Sequence, residues 1–115
     1  MDNFLFSGEH DLQAMRNFLR NLTSDTSLVD FEENMQLESV QSMTRIWRQS
    51  QEVIAFAYLD DYNNLWFECL PGFPLLDQLE TEIIDWGITC IRKRNIDTDQ
   101  SNTLDISCSA NDWRR

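Results

Sequence analysis

The stretch Val53-Ile54-Ala55-Phe56-Ala57-Tyr58-Leu59, then Asp60-Asp61-Tyr62-Asn63-Asn64, then Leu65-Trp66-Phe67-Glu68-Cys69-Leu70, is the part of this chain from which the rest can be laid out. Seven nearly continuous apolar residues suit a strand covered on both faces, so Val53 to Leu59 is predicted to lie centrally in a sheet. The Asp/Asn run that follows has the composition of a hairpin turn, which makes Leu65 to Leu70 an antiparallel neighbour. In that second strand Leu65, Phe67 and Cys69 fall on one face and Trp66, Glu68 and Leu70 on the other. Glu68 thus shares a face with large apolar side chains.

A Pro/Gly elbow, Pro71-Gly72-Phe73-Pro74, leads from this strand into the clearest periodic signal in the sequence. Leu76, Leu79, Ile83, Trp86 and Cys90 recur at helical spacing, and Leu75, Ile84, Gly87 and Ile91 widen the same stripe. Asp77, Glu80, Glu82 and Asp85 stand near the start of the helix and Arg92-Lys93-Arg94 at its end, each sign where the helix dipole favours it. Asp77-Gln78-Leu79-Glu80 reads as a capping box with Asp77 as N-cap.

Working toward the amino terminus, Thr44 to Arg48 reads as a strand joined to Val53 to Leu59 by a polar turn at 49–52. Asn3 to Phe6 reads as a short first strand and Glu9 to Leu22 as a helix. Leu12, Met15, Phe18, Leu19 and Leu22 form the buried stripe of that helix, with Arg16, Asn17 and Arg20 facing water. Thr23 to Ser27 is a polar break. Leu28 to Met43, acidic and sparsely apolar, predicts a second, shorter helix and a mobile connection. Toward the other end, Asn95 to Asn102 reads as a loop, and Leu104, Ile106 and Cys108 alternate with polar residues as a last strand. With a helix intervening, that strand is expected to return parallel to Leu65 to Leu70. Ala110 to Arg115 looks like the opening of a further helix with Asn111 as its cap, which predicts that the domain is truncated at its C-terminal end.

The 115 residues, 42% hydrophobic and 11% aromatic, allow one globular domain spanning 1–115. Its fold class is α/β (α+β), a mixed, mostly antiparallel sheet flanked by helices. A net charge of −11 argues against nucleic acid and anionic membrane surfaces as partners and favours basic ones. The first residues lack the basic start of a signal peptide, and no apolar run approaches the roughly 18 residues of a membrane span, so a cytoplasmic location is expected. Cys69, Cys90 and Cys108, odd in number and widely spaced, read as reduced, packed thiols.

Several local patterns resemble the GNAT family of N-acetyltransferases. Glu9-His10-Asp11-Leu12 is similar to the acidic start of that family's first helix, and Gln51 to Ala57 to its polar turn and following strand, with Ala55 where Gly is usual. Leu65 to Pro71 resembles the strand that ends before a proline. Leu104 to Ser109, with Asn111 and Arg114 after it, resembles the fifth strand and the next helix start. The order of elements is similar too, over nearly the whole chain.

The resemblance implies acetyl-CoA as cofactor, seated between the fourth and fifth strands beside Cys69, Leu70, Gly72, Phe73, Leu75, Leu76 and Asp77. Its pyrophosphate would rest on amides of a glycine-rich turn at the helix start, where phosphate oxygens approach N–H groups closely. Here that turn has one glycine, no basic residue and two prolines without N–H groups. Asp77 and Glu80 oppose an anion further, each by an amount on the order of 1 kcal/mol. The expectation is a degenerate cofactor site in an N-acetyltransferase-like domain with a structural or acceptor-pocket role. The alternative is a non-enzymatic acidic domain for protein interaction or self-association, through an exposed sheet edge or by pairing with a missing C-terminal half.

Glu68 is the candidate catalytic residue, a general base for an amine, with a salt bridge to Arg45 or Arg48 as the preferred structural reading. His10, the only histidine, has no Cys or carboxylate at ligand spacing, so neither a zinc site nor a Cys–His pair is expected. Trp47, Phe56, Tyr58, Trp66, Phe67 and Trp86 read as core before ligand slot. Asp60-Asp61 and Asp97-Thr98-Asp99 lack calcium-loop spacing and read as solvated turns.

Overall fold

A computed structural model of the protein describes residues 2–22, 25–98 and 105–108. The elements run β1 (Asp2–Leu5), α1 (Glu9–Leu22), α2 (Asp25–Asn34), α3 (Glu38–Gln41), β2 (Thr44–Gln49), β3 (Glu52–Leu59), β4 (Asn64–Cys69), α4 (Leu76–Thr98) and β5 (Asp105–Cys108). The strands form one sheet in the order β1-β2-β3-β4-β5. The first four are antiparallel, and β5 lies parallel to β4 with Asn64 opposite Asp105 and Phe67 opposite Cys108. The chain is therefore a mixed α+β protein, as its pattern of apolar runs predicts, with β3 at the centre.

Both faces of β3 are covered. Phe56 and Tyr58 join Met15, Phe18 and Leu19 of α1, Phe31 of α2 and Val40 of α3 on one side. Ala55, Ala57 and Leu59 join Leu65 and Phe67 of β4 and Leu79, Ile83 and Ile91 of α4 on the other. Large residues meet the three amino-terminal helices, while two alanines lie beneath α4 and let its backbone come close. Gly87 takes this furthest, since a Cβ there would stand 2.7 Å from Leu65 Cδ2. A bulge at Trp47/Arg48, where Trp47 faces Ala55 and Arg48 faces Val53, leaves Ile54 as the extra residue, and it adds to the core under α4. Among the described residues, Trp47 Nε1 is the buried side-chain donor without an acceptor, and its ring lies edge-on to Trp86 at 6.2 Å.

The β2–β3 connection is a two-residue turn, with Gln49 paired to Glu52 and both Ser50 (φ 53°) and Gln51 (φ 71°) left-handed. Two successive positive φ values mark a type I′ hairpin, whose twist matches that of the strands it joins.

Four expectations about the helices need correction. The segment after Leu28 is not a mobile connection: α2 buries Phe31 and Met35 lies just past its end, then α3 buries Val40. Phe31, Met35 and Val40 join the core while Val29 and Leu37 stay exposed, and Thr44 Oγ1 donates to Val40 O at 2.7 Å to tie α3 to β2. Helix α4 begins at Leu76, so Asp77 lies in its first turn and is not the N-cap. The same helix runs on through Asn95 to Thr98, which moves Arg92-Lys93-Arg94 inside it, more than one turn before its end. Arg16 does not simply face water, because its guanidinium closes on Glu32 at 2.7 Å and joins α1 to α2. The helix start predicted at Ala110 to Arg115 lies outside the described residues.

Candidate functional site

The elbow between β4 and α4 is built by proline and glycine chemistry. Leu70-Pro71-Gly72-Phe73 closes as a β-turn with Phe73 N–H donating to Leu70 O at 3.3 Å and Gly72 at φ +77°. Proline at the second position and a left-handed glycine at the third make it type II. Leu70 N–H is spent on Ile54 O at 2.8 Å, and Leu76 N–H on Phe73 O at 3.1 Å. Pro71 and Pro74 have no N–H to offer.

The residues expected around a cofactor are divided by this turn. Cys69, Phe73 and Leu76 pack into the core beneath α4, whereas Leu70, Gly72, Leu75 and Asp77 are exposed. A pyrophosphate needs several convergent amides and favours positive charge. Here the amides of Leu70, Phe73 and Leu76 are already engaged, and the exposed side chains add a carboxylate. These residues do not fit a pyrophosphate.

Glu68 is half buried on β4, directly across from Phe56 and on the face covered by α1 and α2. The neighbouring rings form a ladder over two strands, with Phe56 to Tyr58 at 6.4 Å and Tyr58 to Trp66 at 6.2 Å, both nearly parallel. Burial, first of all, pushes the Tyr58 phenol well above its usual pKa; hydrogen bonding to Asn34 opposes this, and the charges of Asp30, Asp60 and Glu68 reinforce it. Tyr58 is therefore held as the neutral phenol, on the sheet face that also carries Glu68.

The salt bridge expected between Glu68 and an arginine is not made to Arg45 or Arg48. Arg45 pairs with Ala57 in the sheet, which puts it on the opposite face, and its Nε donates to Asn3 Oδ1 at 2.8 Å. Arg48 Nη2 reaches Asp11 Oδ1 at 3.2 Å. Burial works against the Asp11 carboxylate, yet the Ser7 hydroxyl (2.8 Å) and amide (2.9 Å), together with Arg48, outweigh it and hold its pKa below the usual range. The start of α1 is thereby pinned to the end of β2.

Asp60 was the least legible of these side chains. Read as part of a solvated turn, it is instead 4% exposed. Its Oδ1 accepts from Tyr62 N (2.8 Å) and Asn64 N (2.9 Å), and its Oδ2 from Asn64 Nδ2 (3.1 Å) and Trp66 Nε1 (2.8 Å). Arg94 Nη1 then clamps the turn from α4, donating to Asp60 O at 2.8 Å and to Asn63 Oδ1 at 2.9 Å. The available signal was an Asp two residues before a turn position, the spacing of an Asx-turn.

His10 is exposed in the first turn of α1, and among the described residues no group of three or more His, Cys, Asp or Glu is placed to hold a metal ion. Nor is any described helix long and apolar enough to cross a membrane. Cys90 sits half buried against the core, its thiol pushed up by burial while Arg45, Arg94 and Lys93 pull the other way. Fold and geometry thus define a mixed α+β protein with an aromatic and acidic cluster on one face of its sheet. No protein-family model, curated protein or solved structure matches the chain.

Proposed function

We propose that this chain is a GNAT-like N-acetyltransferase domain, with an acyl-CoA N-acyltransferase architecture. In this reading its role is to frame the amine acceptor, and acetyl-CoA is held only weakly by these residues. The observation that carries it is the sheet order β1-β2-β3-β4-β5 in which only the last pair is parallel, with α4 making the crossing. Such a crossing places the carboxyl end of β4, with Glu68 and Cys69, where a ligand can enter beside a parallel neighbour. Glu68 is the group positioned to meet an amine, beside the rings of Phe56, Tyr58 and Trp66. The elbow chemistry supports the impaired half of the proposal.

The test is an amide NMR titration with acetyl-CoA. Shifts confined to Glu68 to Asp77 and appearing only at millimolar cofactor support the reading. Saturation at micromolar cofactor overturns the weak site. Silence at those residues overturns the acyltransferase assignment and leaves the acidic interaction domain as the better description.

A further inference from the structure

We draw no further inference here: the strongest candidate, the open edge of β1 where Phe4 and Leu5 lie half exposed, carries nothing because no feature of the structure shows what covers it.

Discussion

Replacing Gly87 by alanine tests how closely α4 is seated on β4, and the expected sign reverses with the residue at position 65. An added Cβ would meet Leu65 Cδ2 at 2.7 Å, Cδ1 at 3.2 Å and Cγ at 3.4 Å, where ordinary contact begins only at about 3.4 Å. Leu65 is fully buried, so its methyls have no solvent to swing into. Overpacking of this kind costs about 1–3 kcal/mol. Against it stands the helix-propensity gain of alanine over glycine, about 1 kcal/mol. The net expectation for Gly87→Ala is a loss of about 1 kcal/mol, or a drop of about 4 °C in Tm for a domain of this size.

Leu65→Ala alone removes the obstructing methyls and leaves a cavity, for a loss of about 2–5 kcal/mol. In that background the same Gly87→Ala change no longer collides, retains its propensity gain and fills part of the void. It should therefore stabilise, by about 1 kcal/mol. Urea unfolding followed by tryptophan fluorescence on the four variants measures both signs. A Gly87→Ala protein that is more stable than the parent by the full propensity difference, with no coupling to Leu65→Ala, refutes the close approach and with it the placement of α4 over β4.

Other expectations follow from the polar contacts. Asp60→Ala strands Trp66 Nε1–H and two backbone amides, for a loss of about 3 kcal/mol, with Asp60→Asn losing roughly half as much; the Trp66 indole resonance should move in both. Ser50→Asn combined with Gln51→Gly puts residues suited to positive φ into the β2–β3 turn and should raise stability by about 1 kcal/mol in urea, whereas a loss would mean the turn is not left-handed at both positions. Asp11 has a folded-state pKa below its ordinary value. Its contribution is therefore complete above the ordinary carboxylate range and fades as pH falls through the lowered value. Arg48→Met removes one of the groups that lower that pKa, so its deficit of about 1 kcal/mol at neutral pH should shrink on acidification. A deficit independent of pH would show that Arg48 acts through packing alone.

The elements that sequence periodicity reveals well are those whose burial repeats. Met15, Phe18 and Leu19 of α1, and Leu79 and Ile83 of α4, recur at helical spacing because each helix presents one stripe to one face of the sheet. The seven-residue apolar run of β3 is continuous because the sheet is covered on both sides there. The region from α2 to α3 resisted reading because each helix buries little: Phe31 in one and Val40 in the other, with Met35 between them. Three anchors at spacings of four and five residues, the middle one between the helices, set no helical stripe. Polar partners resisted for another reason, since nothing in the spacing of Asp11 and Arg48, or of Asp60 and Arg94, announces contacts made across 37 and 34 residues. Glu68 shows the same limit from the other side. Its face could be assigned by alternation, but Arg45 lay on the opposite one, and only the register of β2 on β3 decides that.

The elbow joins these lines of argument. A chain leaving β4 for the start of α4 must reverse within a few residues, and two kinds of sequence can do it. Several glycines would leave amides pointing into the opening, ready for an anion. Pro71 and Gly72 reverse it with a type II turn whose own hydrogen bond consumes Phe73 N–H, and Phe73 then buries its ring beneath α4. The second solution anchors the helix by its side chains and spends the N–H groups of Leu70, Phe73 and Leu76 on the protein itself. A substitution that merely added a basic residue near Asp77 would therefore not create a phosphate grip. The turn would have to be rebuilt with glycine in place of both prolines, at the expense of the Phe73 anchor that helps seat α4 on the sheet.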